Sequence, residues 1–384
     1  MNVVQRAYKY RFYPDAEQES ILARTFGCAR YVYNWGLRLR TDAFYEHQQR
    51  MGYAGTCKLL TALKQEPDKL WLSECSNVVL QQSLSNLDTA FKNFFQGRTK
   101  YPTFKKRNGK QSVRYTTSGF RWKNGQIWLA KMEAPLNIRW SRAFNGTPSN
   151  VTISKDTAGR YFISILVEES ISLLPVSVKM AGIDLGLKDA AILSDGTKIP
   201  NPTFLRNAEP KLARAQRHLS RKQKGSKNRA KAKAKVARIH ARIADRRLDW
   251  QHKLTTKIVH ENQVISVESL KIKNMVKNPC LAKSISDVGW GEIVRQLEYK
   301  SNWYGRTFVQ IDQWYPSSKR CSVCGHILDS LSLGIRDWHC PECGAHHDRD
   351  VNAATNILSA GLAILAGADQ LRMHEKTTAG HAGR

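Results

Sequence analysis

At 384 residues, with 61 Lys+Arg against 32 Asp+Glu, the chain carries a formal net charge of +29. A hydrophobic content of 41%, with 10 Trp, 13 Tyr and 12 Phe, excludes a disordered basic tail protein. The excess charge therefore belongs to folded surface facing a polyanion, and nucleic acid fits best because each phosphate contact releases a counterion.

Length alone suggests two to four folded units, at roughly 100–200 residues per domain. No apolar run of about 18 residues is present, so no membrane span is expected. The opening MNVVQRAYKYRFYP lacks the apolar centre of a signal peptide. A cytoplasmic, nucleoid-associated protein is expected.

Residues 3–12 alternate, with Tyr8, Tyr10 and Phe12 on one face and Lys9 and Arg11 on the other, which predicts a half-buried strand ended by Pro14. Asp15 and Gln18 have capping-box spacing, and Leu22, Phe26, Ala29 and Tyr33 follow at helical intervals. Leu80, Leu84, Leu87, Phe91 and Phe94 predict a second helix. After the basic, turn-rich GRTKYPTFKKRNGK the period becomes two. Asn124-Gly125 between alternating aromatics signals a hairpin, and a second strand pair brackets Asp156–Gly159. The simplest architecture is a small β-barrel that includes residues 3–12 and is interrupted by the helical segment.

From Lys179, MAGIDLG and DAAILS read as neighbouring strands, with a turn at Asp195-Gly196. Residues 209–262 are helical and basic, broken at Gly225-Ser226. VISVES (264–269) is a short apolar strand. A loop to about 289, a helix near Trp290–Tyr304 and a strand Thr307–Gln313 follow. A helix is expected over Asn352–Ala366, with an unstructured tail beyond it.

Four of the eight cysteines form two pairs, Cys321-x2-Cys324 and Cys340-x2-Cys343, each followed by a glycine. Two such turns can close a tetrahedral four-sulfur site, so one structural Zn²⁺ is expected. His326, His339, His346 and His347 are surplus to that set and are expected at the surface. Cys28, Cys57, Cys75 and Cys280 are scattered singly, as small buried hydrophobes usually are.

In a chain poor in acids, three carboxylates stand out. Asp184 sits in GIDLG, Glu268 ends VISVE, and Asp350 lies in HHDRDVNAATN. Singly, each has a plain reading as a turn, a solvated strand end or a helix cap, with Asp348 as an alternative to Asp350. Together, acids on a first strand, at the end of a later strand and on a helix after a long excursion follow the order of RNase H-like nucleases. Clustered carboxylates suit two hard Mg²⁺ ions flanking a scissile phosphate.

These segments, with GIDLGLKDAAILSDG, ISVESLKIKNM, SISDVGWGEIVRQLEYKSNWYG, the CSVCG…CPECG ribbon and N-terminal FGCARYVYNWGL and YPTFKKR, resemble TnpB (OrfB-type) proteins over about residues 5–360. That family comprises transposon-encoded RNA-guided nucleases related to type V CRISPR effectors. The resemblance implies an α/β multidomain protein with an RNase H-like (RuvC) nuclease domain and an inserted zinc ribbon. A wedge β-barrel carrying a helical recognition insertion completes it. On this chain the wedge takes residues 1–13 and 111–174, recognition 14–110, the nuclease 175–316 and 347–366, the ribbon 317–346, and a tail 367–384. The catalytic Asp-Glu-Asp carries over to Asp184, Glu268 and Asp350, holding two Mg²⁺. The implied partners are a guide RNA from the transposon end and target double-stranded DNA, with a monomeric protein in the RNA complex. The implied activity is cleavage of that DNA beside a short transposon-associated motif through one RuvC site. The alternatives are a nuclease-silent RNA-guided repressor and an RNA-independent transposase.

Between Lys211 and Arg247 stand 15 Lys or Arg and one acid, Asp245. Arg214, Arg217, Arg221, Lys222, Lys231, Lys235, Arg238 and Arg242 are candidate backbone contacts. Arg98, Lys100, Lys105, Lys106 and Arg107, interleaved with Tyr101 and Phe104, suit single strands whose bases can stack; Tyr101 and Phe104 serve equally well as core plugs. The basic stretch Lys271–Ile285 directly follows Glu268 and is a candidate gate.

Overall fold

The computed structural model describes residues 2–332 and 334–381, with side chains as far as 367. It divides into two compact units, 3–170 and 171–384, the second including residues 1–2.

The first unit opens with β1 (Asn2–Phe12), whose Tyr8, Tyr10 and Phe12 are buried as the alternation requires. Asp15 then caps α1 (Ala16–His47): its carboxylate accepts from Gln18 N at 2.8 Å, and the Gln18 side chain accepts from Asp15 N. Helix α2 (Tyr53–Leu63), a 3-10 segment (Pro67–Glu74) and α3 (Asn77–Phe95) follow. At Gly36 a Cβ would meet Leu84 Cδ2 at 2.7 Å, so the glycine lets α1 and α3 approach.

The strands β2 (Gln111–Thr116), β3 (Phe120–Lys123), β4 (Gln126–Leu129), β5 (Ile138–Arg139), β6 (Pro148–Lys155) and β7 (Tyr161–Ile171) complete the unit. Asn124 and Gly125 turn β3 into β4 with φ of 50° and 74°. The main sheet has the order β2-β6-β7-β1-β5, while β3-β4 is a separate two-stranded ribbon. Where a barrel was expected, the strand order thus ends on β2 and β5. The helical segment is not a separate body either. Leu22, Phe26, Val32, Leu80 and Leu84 share one core with Tyr10, Ile127, Ile153 and Ile163, because each element alone has too little apolar area to bury.

The second unit is built on a mixed sheet of order β10-β9-β8-β11-β12. β8 (Met180–Asp184), β9 (Asp189–Leu193) and β10 (Lys198–Pro200) form an antiparallel meander. Helices α4 (Phe204–Ser220) and α5 (Lys227–Glu261) then form a hairpin with its own small core of Leu212, Ala215, Ile239 and Ile243. Buried Asp287 fixes the start of α4 by accepting from Leu205 N and Arg206 N. Strand β11 (Val264–Glu268) pairs in parallel with β8, and later with β12.

The segment read as a loop after β11 is instead α6 (Ile272–Met275) and α7 (Pro279–Val288). Its single buried stripe is too short for periodicity to reveal, and the signal that was present is Asn278, which accepts from Cys280 N ahead of Pro279. Next come α8 (Trp290–Tyr304), β12 (Thr307–Ile311), the ribbon strands β13 (Asp337–His339) and β14 (His346–Asp348), and α9 (Arg349–His381). Helix α9 starts three residues before the expected Asn352. It continues into the stretch read as an unstructured tail, of which 382–384 lie outside the described residues.

Two glycines let α9 lie close on the sheet. A Cβ at Gly182 of β8 would overlap the Ala354 carbonyl, and one at Gly361 would overlap Ser266 Oγ. That close approach carries the first turn of α9 towards the ends of β8 and β11.

Candidate active site

Register brings the first two acids together. Ile183 pairs with Val267 across the parallel strands, so Asp184 and Glu268 sit side by side at the two strand ends. Asp350 arrives in the first turn of α9. Burial raises the Asp184 carboxyl to about 7, and the charges of Glu268 and Asp350 add to the rise, while Arg349 and the Leu185 amide oppose it. Glu268 is also raised by burial, against a hydrogen bond from Ser317 Oγ.

Asp348 and Asp350 have different roles. Asp348 accepts from the backbone N–H groups of Asp350 and Val351, both at 3.0 Å, and pairs with Lys198. Burial works against its charge, yet Lys198 and the Val351 amide hold it below the usual carboxylate range. It is the helix cap. Asp350 interacts with Asp184 and is gripped by Arg336, whose Nη1 lies 3.0 and 3.1 Å from its two oxygens. Ser317, Arg336 and Lys198 were not legible in the sequence, since each reaches its acid from a distant segment.

The donor set fits a hard divalent cation. Burial, with the charges of Glu268 and Asp350 adding to it, pushes the Asp184 carboxyl towards neutrality. The three acids are set more openly than the cysteines, the only group among the described residues whose ligand atoms all lie within 4.8 Å.

That group is Cys321, Cys324, Cys340 and Cys343. Sulfur separations of 3.7 Å (Cys321–Cys343) and 3.5 Å (Cys324–Cys340) match a common ligand. The two turns are built alike: Gly325 N donates to Cys321 O at 3.0 Å and Gly344 N to Cys340 O at 2.9 Å, with φ of 83° and 68°. Soft thiolates in a closed set of four fit Zn²⁺. His347, expected at the surface, is instead buried, with Nε2 3.0 Å from Cys321 Sγ and its ring on Trp338. The strand pairing Trp338↔His347 turns it inward. Burial works against the Cys321 thiolate, but the Cys324 and Val323 amides and His347 hold its thiol below the ordinary value.

Two asparagines one helical turn apart tie the ribbon to α9. Asn352 accepts from Ser322 N at 3.0 Å and donates to Arg320 O at 2.8 Å, and Asn356 donates to Arg320 O and Ser317 O. Their i, i+4 spacing in NAATN puts both side chains on one face of the helix.

The candidate nucleic-acid residues are surface residues in both units. Arg98, Lys100, Lys105, Lys106 and Arg107 are exposed, as are Arg214, Arg217, Arg221, Lys231, Lys235, Arg238 and Arg242, with Lys222 half-buried. Asn34 pins the Lys105 backbone to α1 in both directions, at 3.0 and 2.8 Å. Tyr101 packs edge-on against Phe91 and Phe94, whereas Phe104 is exposed. Among the described residues no helix is long and apolar enough to cross a membrane.

Residues 163–279 match the OrfB_IS605 family model, described as "Probable transposase", and residues 290–357 match a model described as "Cas12f1-like, TNB domain". A Streptomyces pristinaespiralis protein named "Putative RNA-guided DNA endonuclease" is 50% identical, over 98% of this chain and 94% of its own. The chain belongs to the OrfB (TnpB) family. An Escherichia coli K12 TnpB relative, named "Putative RNA-guided DNA endonuclease InsQ", is 35% identical over 94% of this chain and 93% of its own. Among solved structures, the protein of a Cas12f1–sgRNA–target DNA complex aligns with a TM-score of 0.57 and 13% identity. The alignment covers 93% of this TnpB chain and 99% of the other, which shows a shared Cas12f-like fold. Residues 1–49 match a model described as "Helix-turn-helix domain"; the described residues of that stretch form β1 and the single long helix α1.

Proposed function

We propose that this TnpB-family protein is an RNA-guided DNA endonuclease of an insertion element. It hydrolyses phosphodiester bonds of double-stranded DNA beside a short transposon-associated motif, in one RuvC-type site formed by Asp184, Glu268 and Asp350. The observation that carries this reading is the raised Asp184 carboxyl, which burial and the charges of Glu268 and Asp350 push to about 7. A buried carboxyl repelled by two neighbouring acids is one that a bound divalent cation would stabilise in its charged form. The full-length relatives named as endonucleases support the same activity.

Asp184, Glu268 and Asp350 would hold two Mg²⁺, which supply activation of the attacking water and charge neutralisation at the departing oxygen. The chain's own contribution is positioning. The β8–β11 register fixes two carboxylates, α9 delivers the third, and Ser317 orients Glu268. The four cysteines hold a structural Zn²⁺ that shapes the ribbon beside α9. The basic surfaces of both units bind guide RNA and the DNA backbone, while base pairing with the guide selects the sequence.

The test is incubation of purified protein, guide and target duplex with Mg²⁺. Cleavage by the wild-type chain and none by Asp184→Ala is expected. No cleavage with any guide, or full cleavage by that variant, overturns the reading.

A further inference from the structure

Trp314, in the link between β12 and the ribbon, is 81% exposed. Among the described residues no ring or cation packs on its faces. Its backbone is nevertheless fixed: Trp314 N donates to Asp312 Oδ1 at 2.7 Å, and Ser317 N to Tyr315 O at 2.8 Å. With the Gln313 amide turned so that its oxygen faces its two donor neighbours, that oxygen accepts from Trp314 Nε1 at 2.9 Å and from Lys271 Nζ at 3.0 Å. One acceptor thus holds an indole by its edge, leaving the faces open, and an ammonium beside it.

Both groups lie on short segments tied to Glu268. Lys271 is three residues beyond Glu268, and Ser317, three beyond Trp314, hydrogen-bonds the Glu268 carboxylate. A free aromatic plate next to a cation matches one nucleotide of a single strand, with base on ring and phosphate on ammonium. An apolar protein partner fits poorly, because the ring's edge is hydrogen-bonded to Gln313, whose oxygen also holds the Lys271 ammonium.

We infer that Trp314 and Lys271 form a nucleotide platform that positions the strand to be cut. Trp314 stacks on an unpaired base, and Lys271 meets the neighbouring phosphate. The inference rests on the endonuclease reading, and both are positioning residues.

The experiment uses the full chain loaded with guide RNA. In single-turnover cleavage of a matched duplex, Trp314→Ala should be slower by about 10- to 100-fold, while Trp314→Phe keeps most of the rate because it keeps a stacking face. Lys271→Gln should lose several-fold and weaken the salt dependence. Guide binding, followed by native gel, should not change in any of the three. In a second arm, the Asp184→Asn complex is irradiated with target DNA carrying 5-iododeoxyuridine for thymidine. A crosslink mapped to Trp314 supports the platform even if the wild-type chain cuts nothing, a result that would defeat the endonuclease reading alone. A wild-type cleavage rate for Trp314→Ala, or crosslinks only at other residues, overturns the platform.

Discussion

Arg336 Nη1 lies 3.0 Å from Asp350 Oδ1 and 3.1 Å from Oδ2, so an arginine just ahead of β13 neutralises the acid that α9 contributes. A divalent ion at Asp350 must compete with this guanidinium, and once displaced the arginine remains within reach of an arriving phosphate. Arg336→Gln should therefore tighten Mn²⁺ binding, by about 2- to 5-fold as befits a half-exposed pair. It should also slow cleavage of guided DNA at saturating Mg²⁺. Calorimetry and single-turnover rates measure the two effects separately. Unchanged metal affinity would mean the pair does not compete.

The Asp184 carboxyl, raised to about 7, makes a stability prediction for the metal-free protein. Folding favours its neutral form, so the folded chain holds a proton that the unfolded chain releases at its ordinary, lower value. Stability is greatest below the usual carboxylate range and falls as pH rises towards 7, by up to about 4 kcal/mol from this group. In chelator, Asp184→Asn should melt well above wild type at about pH 8 and close to it at about pH 4. Added Mg²⁺ should raise the wild-type melting temperature at the higher pH and leave the variant unmoved. Equal melting curves at both pH values would rule out the raised Asp184 carboxyl.

The strands bearing Asp184 and Glu268 were legible because short apolar runs ended on lone acids, and the ribbon because cysteine spacing is rigid. Asp350 was preferred to Asp348 for its place in the D-x-N-A-A motif, and the structure makes Asp348 the helix cap. What stayed hidden depends on contacts between distant segments. Ser317, Arg336 and Lys198 reach their acids across the fold. Likewise, the burial of His347 follows from its pairing with Trp338 rather than from any local pattern. Periodicity also missed α6 and α7, and it could not say that the helical insertion and the strands of the first unit would share one core.

Loss of zinc should reach the acid cluster through Asn352 and Asn356. These asparagines hold the Ser317–Ser322 backbone, and Ser317 holds Glu268. Purified protein should contain about one zinc per chain by elemental analysis, the stoichiometry of a four-cysteine site. Cys340→Ser should lose that zinc and most cleavage, although no proposed Mg²⁺ ligand is altered, and extra Mg²⁺ should not restore activity. Full cleavage by a zinc-free variant would separate the ribbon from the chemistry.

The close seating of α9 makes the sharpest demand on a single atom. At Gly182 an added methyl would overlap the Ala354 carbonyl and lie 2.6 Å from Leu358 N, both backbone groups of α9. Neither can move aside as a side-chain tip could, so Gly182→Ala must push the helix outward and Asp350 with it. A stability loss of about 1–3 kcal/mol is expected from the overpacking. Cleavage should fall further than that loss explains, since an angstrom of displacement suffices to misplace a metal ligand. Gly27→Ala on α1, where nothing lies within 4 Å of the new methyl, is the control and should be neutral or slightly stabilising. If Gly182→Ala melts and cleaves like wild type, close packing on β8 is not what sets the position of Asp350.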